Sequence, residues 1–218
     1  MNILQNRIDS FSNSSIQWPY LKKRYLQPDN LAKAGFYFMH KSDHVRCFLC
    51  DIELSEWKQG QSPYTRHINE SPSCPLVLLQ FPERSSRLIK NKAIAQPFDL
   101  TRRNARLATF NYHKYWPPHQ RRKRSYPSVT KLADTGFYFS PTLDYIARVV
   151  CPYCKSAITE PDKSIDFLGR HREHCIFLDG TPDEIKGAIT TDRRNTASST
   201  SSVETYKTAG SGSSIMVS

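Results

Sequence analysis

The same pattern of apolar and polar positions occurs twice along the chain. Apolar runs are only a few residues long and alternate with polar turns, which is typical of small antiparallel strands and short helices. The aromatic run GFYF occurs at 35–38 and again at 136–139. Each copy is followed by a polar loop, a second apolar segment and a cysteine pair. This pattern predicts one α+β unit that is present in two copies.

The correspondence extends well beyond the aromatic runs. Three pairs of segments match in order: RIDSFSNSSIQWP at 7–19 with RLATFNYHKYWP at 106–117, LAKAGFYF at 31–38 with LADTGFYF at 132–139, and CFLC at 47–50 with CPYC at 151–154. The intervals between copies are nearly constant, which chance does not explain. We therefore predict four regions along the chain: a first unit at 7–79, a basic linker at 80–105, a second unit at 106–178, and a Ser/Thr-rich, disordered tail at 179–218.

A short helix is predicted before each aromatic strand. In the first copy, Asp29 is positioned as the N-cap and Gly35 as the left-handed stop. Ser128 and Gly136 hold the same positions in the second copy. The second copy has three more residues between GFYF and its cysteine pair, so we expect a longer hairpin loop there.

The composition favours small domains that need help to stay folded. Only 38% of the 218 residues are hydrophobic and 14 are proline, and domains this small often use a metal ion or disulfides. Residues 1–30 lack the apolar core of a signal peptide, and no run approaches the length of a membrane span. We therefore expect a reducing environment, in which closely spaced cysteines indicate metal binding.

Both copies carry a Cys₃His set with the spacing of a zinc site. A CxxC pair is followed after 16 residues by histidine, and then by one more cysteine. Four thiolate and imidazole donors suit tetrahedral Zn²⁺ in a structural role. All six cysteines are used, so we predict two structural Zn²⁺ ions. The predicted ligands are Cys47, Cys50, His67 and Cys74 in the first unit, and Cys151, Cys154, His171 and Cys175 in the second.

Helices are expected to present the third and fourth ligands. In the first unit, Ser62 and Pro63 mark the N-cap and first position of a helix that carries His67. In the second unit, His171 and Cys175 are four positions apart, which a helix places on one face. His174 would then point away from the ion.

These motifs together resemble the baculoviral IAP repeat (BIR) of the inhibitor-of-apoptosis family. The resemblance rests on Arg-x₃-Phe, Trp-Pro, Leu-Ala-x-x-Gly-Phe-Tyr and the Cys₃His spacing. The fungal survivin-like proteins look most similar, since FSPTLDYIARVVCPYCK resembles their second repeat. The resemblance implies that each unit has a short three-stranded antiparallel sheet and short helices around one zinc.

The resemblance also implies a groove that captures a peptide N-terminus beside the zinc of the first unit. Trp57 would form its aromatic wall, and Gln61 stands where the family has an ammonium-binding acid. An ammonium group that leaves water needs a nearby carboxylate. Glu53, Glu56 and Glu70 could supply it, and we predict a peptide site that contains Trp57, Gln61 and Glu70.

The second unit has the opposite defect. Pro161 stands where the resemblance places tryptophan, although Asp162 and Asp166 are present. The first unit is therefore the better candidate for peptide binding, because an aromatic wall is harder to replace than a charge.

The excess of basic residues indicates which classes of partner the chain could bind. The formal net charge of +11 favours acidic partners such as chromatin, nucleic acid or phosphorylated segments. HQRRKR at 119–124 suits nuclear import or phosphate contact. The arginines are dispersed, which makes direct nucleic-acid binding the weakest of these hypotheses.

The resemblance implies a non-enzymatic adaptor of the survivin-like kind. Such a protein acts in chromosome segregation with the chromosomal passenger kinase complex, at the spindle and chromosomes. Histone tails or other peptide N-termini would be its ligands. The alternative is an apoptosis inhibitor that binds caspases or their antagonists, with the cytoplasm as its location. We expect no ligase activity from a RING finger in this chain, since residues 179–218 contain no Cys or His.

Overall fold

The structure, a computed structural model, describes residues 1–12, 15–80, 97–111, 116 and 125–179. The predicted import segment 119–124, most of the predicted linker and the tail from 180 onward lie outside these residues. Two units of the same α+β architecture follow one another along the chain, which confirms the predicted fold class. Within the described part, no helix is long and apolar enough to cross a bilayer.

In the first unit, short helices surround a small sheet. Its elements, in chain order, are α1 (Leu4–Asp9), a 3-10 turn (Arg24–Leu26), α2 (Pro28–Lys33), β1 (Phe36–Phe38), β2 (Val45–Cys47), β3 (Glu53–Leu54), α3 (Pro63–Glu70) and α4 (Pro75–Gln80).

The second unit follows a similar order among its described residues, with a 3-10 turn in place of α3. Its elements are α5 (Leu100–Asn111), α6 (Val129–Asp134), β4 (Tyr138–Phe139), β5 (Val149–Val150), β6 (Ala157–Ile158), a 3-10 turn (Leu168–Arg170) and α7 (Ile176–Asp179).

Each sheet is an antiparallel meander of three strands. β1 pairs with β2 so that Phe36 lies opposite Cys47, which connects the aromatic strand directly to the first ligand. In the second unit, β4 pairs with β5. The loop between these strands covers residues 140–148, against 39–44 in the first unit. The predicted longer hairpin loop is therefore confirmed.

A buried arginine links the N-terminal helix of each unit to the turn before its sheet. Arg7 Nε donates to the carbonyl of Ala32 at 2.9 Å. Arg106 Nε donates to the carbonyl of Ala133 at 2.7 Å. Both guanidinium groups also lie over a phenylalanine ring, Phe48 in the first unit. The matching arginines of the two copies thus satisfy matching backbone carbonyls, which would otherwise be buried without donors.

The two units are docked on each other through α4 and α5. Arg102 Nη1 donates to the carbonyl of Leu78 at 2.9 Å, and its side chain is fully buried. Beside it, Leu78, Leu79 and Ala105 form a small apolar cluster against Tyr138. The helix that carries Arg102 and Ala105 begins inside the segment predicted as linker.

One predicted helix cap is wrong and a second is confirmed only in position. The N-cap of α2 is Gln27, because Pro28 takes the first helical position and moves Asp29 into the first turn. There Asp29 accepts from Lys33, one turn later, at 2.6 Å. Ser62 does occupy the N-cap of α3, but its side chain makes no capping hydrogen bond. Ser128 caps α6 as predicted and accepts from the Lys131 N–H.

Candidate metal centres

The four predicted ligands of the first unit lie together. Cys47 ends β2, Cys50 follows in the tight turn, His67 lies on α3, and Cys74 immediately precedes α4. The Sγ atoms of Cys47 and Cys74 are 3.9 Å apart. Cys50 Sγ is 3.4 Å from His67 Nε2. One ligand atom from each residue fits within 4.8 Å of all the others, so the set can surround a single ion.

The second unit assembles the equivalent set. The Sγ atoms of Cys151 and Cys175 are 3.8 Å apart. His171 Nδ1 lies 3.7 Å from Cys154 Sγ and 3.4 Å from Cys175 Sγ. His174 is not part of the set, and its side chain is 89% exposed. The structure thus places His174 outside the site.

Both sets have the dimensions of a tetrahedral zinc site. Zn–S bonds of about 2.3 Å at tetrahedral angles separate two sulfur atoms by about 3.8 Å. The observed sulfur–sulfur distances of 3.9 and 3.8 Å agree. Three thiolates and one imidazole are also the donor types that zinc prefers in structural sites. A Zn²⁺ ion would be held by four protein ligands in each unit.

Backbone carbonyls orient both histidine rings. His67 Nδ1 lies 2.8 Å from the carbonyl of Ala34, and His171 Nε2 lies 2.8 Å from the carbonyl of Thr135. A ring N–H that donates to a carbonyl directs the other nitrogen towards the metal. These two acceptors are backbone groups, so no side-chain pattern in the sequence indicates them.

The glycine after each of these carbonyls allows the close approach. Gly35 has φ +97° and Gly136 has φ +88°, in the left-handed region predicted for both. A Cβ atom at Gly136 would lie 3.0 Å from the His171 ring. Glycine is therefore required at this turn by backbone conformation and by space.

Hydrogen bonds at both sites favour a thiolate. The thiols of Cys47 and Cys74 lower the pKa of Cys50 strongly. Burial would raise the pKa of Cys154, but the N–H groups of Arg172 and Ser156 outweigh burial and lower it. The thiolate is the form of cysteine that binds metal, so the CxxC turn of each unit presents a sulfur that can bind a cation.

The helix predicted to hold His171 and Cys175 is absent, although both residues reach the site. His171 ends the 3-10 turn Leu168–Arg170 in an extended conformation. The chain then turns through His174, whose φ is +56°, and Cys175 precedes α7. The short interval between the two ligands is thus spanned by a turn.

The stretch equivalent to α3 covers residues 167–174, since His171 follows its cysteine pair at the same interval as His67. It contains Gly169, and glycine weakens a helix interior by about 1 kcal/mol relative to alanine. His174, at the end of this stretch, has φ +56°, which is outside the right-handed helical region.

Trp57, predicted as the wall of a peptide groove, is only 5% exposed. Its N–H and indole Nε1 donate to Asp43, at 2.9 and 3.2 Å. The guanidinium carbon of Arg66 lies 4.7 Å from the ring centroid. The indole is thus buried and covered on one face by a cation. Neither Asp43 nor Arg66 was identified from the sequence, since their contacts with Trp57 depend on the folded arrangement.

The other two predicted groove residues lie apart from this contact. Gln61 Oε1 accepts from the backbone N–H of Lys58 at 2.9 Å, which closes a local turn. Glu70 is exposed at the end of α3. The side-chain oxygen of Gln61 is thus used within its own loop.

Both units match one known protein family. The family model BIR, described as Inhibitor of Apoptosis domain, matches residues 7–78 and 106–179. Among solved structures, DIAP1 BIR1 bound to a Grim peptide is 36% identical, with a TM-score of 0.30; the match covers 34% of this chain and 70% of that one.

Curated relatives include a chromosomal passenger complex protein and viral IAP proteins. Chromosomal passenger complex protein bir1 of Schizosaccharomyces pombe is 28% identical over 79% of this chain and 17% of its own length. E3 ubiquitin-protein ligase IAP-3 of Orgyia pseudotsugata multicapsid polyhedrosis virus is 29% identical over 72% of this chain and 53% of its own. Apoptosis inhibitor IAP of Cydia pomonella granulosis virus is 40% identical over 30% of this chain and 22% of its own length. This chain thus spans about half or less of these relatives.

Proposed function

Because the chain belongs to the BIR, or Inhibitor of Apoptosis domain, family, we propose that it is a non-enzymatic, zinc-stabilised adaptor that binds other proteins. The closure of both metal sites carries this proposal. Each set supplies four protein donors to one ion, which leaves no coordination position for a catalytic water or a substrate. The metal would therefore hold the fold, and the surface of the folded units would supply the activity.

The more specific proposal is a survivin-like role in chromosome segregation with the chromosomal passenger complex. The fission-yeast protein of that name matches 79% of the chain, so the similarity extends into both units. A net charge of +11 suits the acidic surfaces of chromatin. This role would place the protein in the nucleus, at the spindle and chromosomes.

The alternative is inhibition of apoptosis by binding to caspases or their antagonists, with a cytoplasmic location. The names of the two viral relatives favour it. Affinity purification of the tagged chain from dividing cells separates the two roles. Recovery of a passenger-complex kinase supports the first role, and recovery of a caspase supports the second.

A variant that cannot bind zinc provides the control for this purification. Cys47→Ser with Cys151→Ser removes one thiolate from each set, and structural zinc sites commonly hold such small domains folded. A partner retained by this variant is not bound through the folded units. If neither a kinase nor a caspase is recovered specifically, both roles are wrong.

We also propose that the first unit binds a peptide N-terminus weakly, through Trp57, Gln61 and Glu70. Arg66 over the indole would repel the incoming ammonium group. Arg66→Ala should therefore tighten binding, whereas Trp57→Ala should abolish it. Calorimetry with histone H3 tail peptides and N-terminal Ala peptides measures this. Equal affinities for wild type and Trp57→Ala would contradict the proposal.

A further inference from the structure

A cleft of about 400 Å³ lies where the two units meet, and none of its described lining residues is one of the metal ligands. Its apolar wall combines residues of both units, among them Leu4, Phe48 and Leu76 from the first and Pro141 from the second. We call it the inter-unit cleft. Its volume falls within the range of about 300–1,000 Å³ that is usual for ligand sites.

The inter-unit cleft is positively charged. Arg7, Lys33, Arg148 and Lys155 line it, and none of the described lining residues is Asp or Glu. Asp29 neutralises Lys33 at 2.6 Å. The other three cations have no ion pair with a carboxylate among the described residues. A recess lined by cations that lack carboxylate partners attracts anions.

Both cations from the second unit donate to neighbouring backbone carbonyls, and Lys155 Nζ donates to that of Pro152. Arg148 Nη1 donates to the carbonyl and the hydroxyl of Ser140, at 2.9 and 3.2 Å, which fixes its guanidinium across the hairpin loop. A guanidinium has five N–H donors, so several remain for a ligand. Lys155 is exposed and Arg148 is partly exposed, so a bound chain could reach both.

Arg7 supplies the buried part of the charge. Its donors are used by the carbonyls of Met1, Asn2 and Ala32. These acceptors are neutral, but the Cys47 thiolate partly compensates the charge of the guanidinium. Arg7 would therefore add little to anion binding, and Arg148 and Lys155 would make the contacts.

The hairpin loop beside the cleft also offers apolar contacts. Leu143 is 60% exposed and Tyr145 is 47% exposed, both in the loop that is longer than its counterpart. Thr142, between Pro141 and Leu143, lines the cleft directly. An apolar group that enters the cleft can thus be flanked by further apolar side chains outside it.

We propose that the inter-unit cleft binds an acidic peptide segment of a partner protein, with an apolar side chain placed between carboxylates. The apolar wall would take the apolar side chain, and Arg148 and Lys155 would pair with the carboxylates. A nucleic acid fits less well, since its backbone needs a row of cations on an open surface. The inference rests on the proposed adaptor function and names the chemistry of one partner segment.

The test uses the full chain and a fluorescent heptapeptide, Glu-Glu-Asp-Leu-Phe-Glu-Glu, with an acetylated N-terminus and an amidated C-terminus. Acetylation removes the ammonium group, so a groove for peptide N-termini cannot account for binding. The double variant Arg148→Glu/Lys155→Glu should weaken binding at least about tenfold. The matched control, Lys22→Glu/Lys41→Glu, changes the net charge equally at exposed sites outside the cleft, and should alter affinity less than about threefold.

Fluorescence anisotropy at physiological salt gives the affinities, and the zinc content of each variant confirms folding. Loss of binding in the cleft variant alone supports the proposal. No binding to wild type, or equal weakening in both double variants, overturns it. Stronger competition by a single-stranded oligonucleotide than by unlabelled peptide would identify a nucleic-acid surface instead. Failure here would leave the kinase or caspase recovered by affinity purification unaffected, so the two tests are independent.

Discussion

At the scale of single residues, the two units differ most in how their histidines reach the metal set. His67 lies on a helix, whereas His171 follows a 3-10 turn in an extended conformation. The carbonyls of Ala34 and Thr135 accept from the two rings at the same distance, 2.8 Å. The orientation of the imidazole is thus set by the turn before the sheet, which both units share.

Substitution of His171 tests the ligand assignment of the second unit. His171→Ala should reduce bound zinc from two ions to about one per chain, because three donors bind zinc more weakly than four. His174→Ala should leave the content unchanged, since that side chain is exposed and outside the set. Elemental analysis of the purified proteins measures this. Loss of zinc in His174→Ala would refute the assignment.

Asp43 provides a residue-scale prediction about pH. Burial would raise the pKa of its carboxyl, but the N–H groups of Trp57 and Glu56, which donate to it, outweigh burial and lower that pKa below its ordinary value. A group whose folded pKa is lowered stabilises the fold above its unfolded pKa, and this contribution is lost as pH falls through the folded pKa. Asp43→Asn should therefore cost about 1–3 kcal/mol of unfolding free energy at neutral pH.

The pH dependence distinguishes this effect from a general loss of packing. The difference between wild type and Asp43→Asn should begin to shrink below about pH 4, where the unfolded carboxyl becomes protonated. It should disappear only below the lower folded pKa, where the native carboxyl is protonated as well. Asp144→Asn, at an exposed loop position, serves as the control and should change little. Urea unfolding across the pH range measures both. A constant difference at every pH would contradict the role of the charge.

At the scale of elements, the turn between α2 and β1 connects the sheet, the histidine and α4. Gly35 has φ +97°, and a Cβ there would overlap Leu76 Cδ2 and lie 3.5 Å from Cys47 Sγ. Close packing around Gly35 therefore brings together β2, which carries the ligand Cys47, and α4, which follows the ligand Cys74. The local sequence LAKAGF requires glycine for its backbone, and the packing requires it again.

Alanine substitutions at two glycines separate the two requirements. Gly60 also has positive φ, +82°, but a Cβ atom added there would meet no other atom within 4 Å. Both substitutions should cost about 1–2 kcal/mol for the left-handed backbone. Gly35→Ala should cost about 1–3 kcal/mol more for the clash. Urea unfolding of the zinc-loaded chain measures the difference, and equal costs would show that the turn relaxes freely.

At the scale of the whole molecule, the two units are joined by more than the linker. The bond from Arg102 to the Leu78 carbonyl and the cluster around Ala105 fix α5 on α4. This docking creates the inter-unit cleft, because each unit supplies part of its wall. The proposed binding of an acidic segment therefore belongs to the pair and not to either unit.

Disruption of this docking should separate the units without unfolding them. Ala105→Asp places a carboxylate in an apolar cluster and should release α5 from α4. We expect a larger radius of gyration by small-angle X-ray scattering and an unchanged zinc content. Asn104→Asp, on the exposed side of the same helix, is the control. An unchanged scattering profile in Ala105→Asp would show that the docking is not needed for the compact arrangement.

The duplication, the strands, the long hairpin loop and both Cys₃His sets could be predicted from the chain alone. These features depend on the spacing of nearby residues and on the metal-binding chemistry of Cys and His, both of which can be identified in the sequence. Two local predictions were wrong, the cap of α2 at Asp29 and the helix around His171, because Pro28 and Gly169 shift local balances of less than a few kcal/mol.

The surroundings of Trp57 and the composition of the inter-unit cleft depend on packing between distant parts of the chain. The contact of Arg66 with the indole joins residues on different elements. Arg7 and Arg148 line one cleft although they lie on different units of the chain. Neither arrangement follows from spacing, since each depends on the packing of surfaces that are distant in sequence.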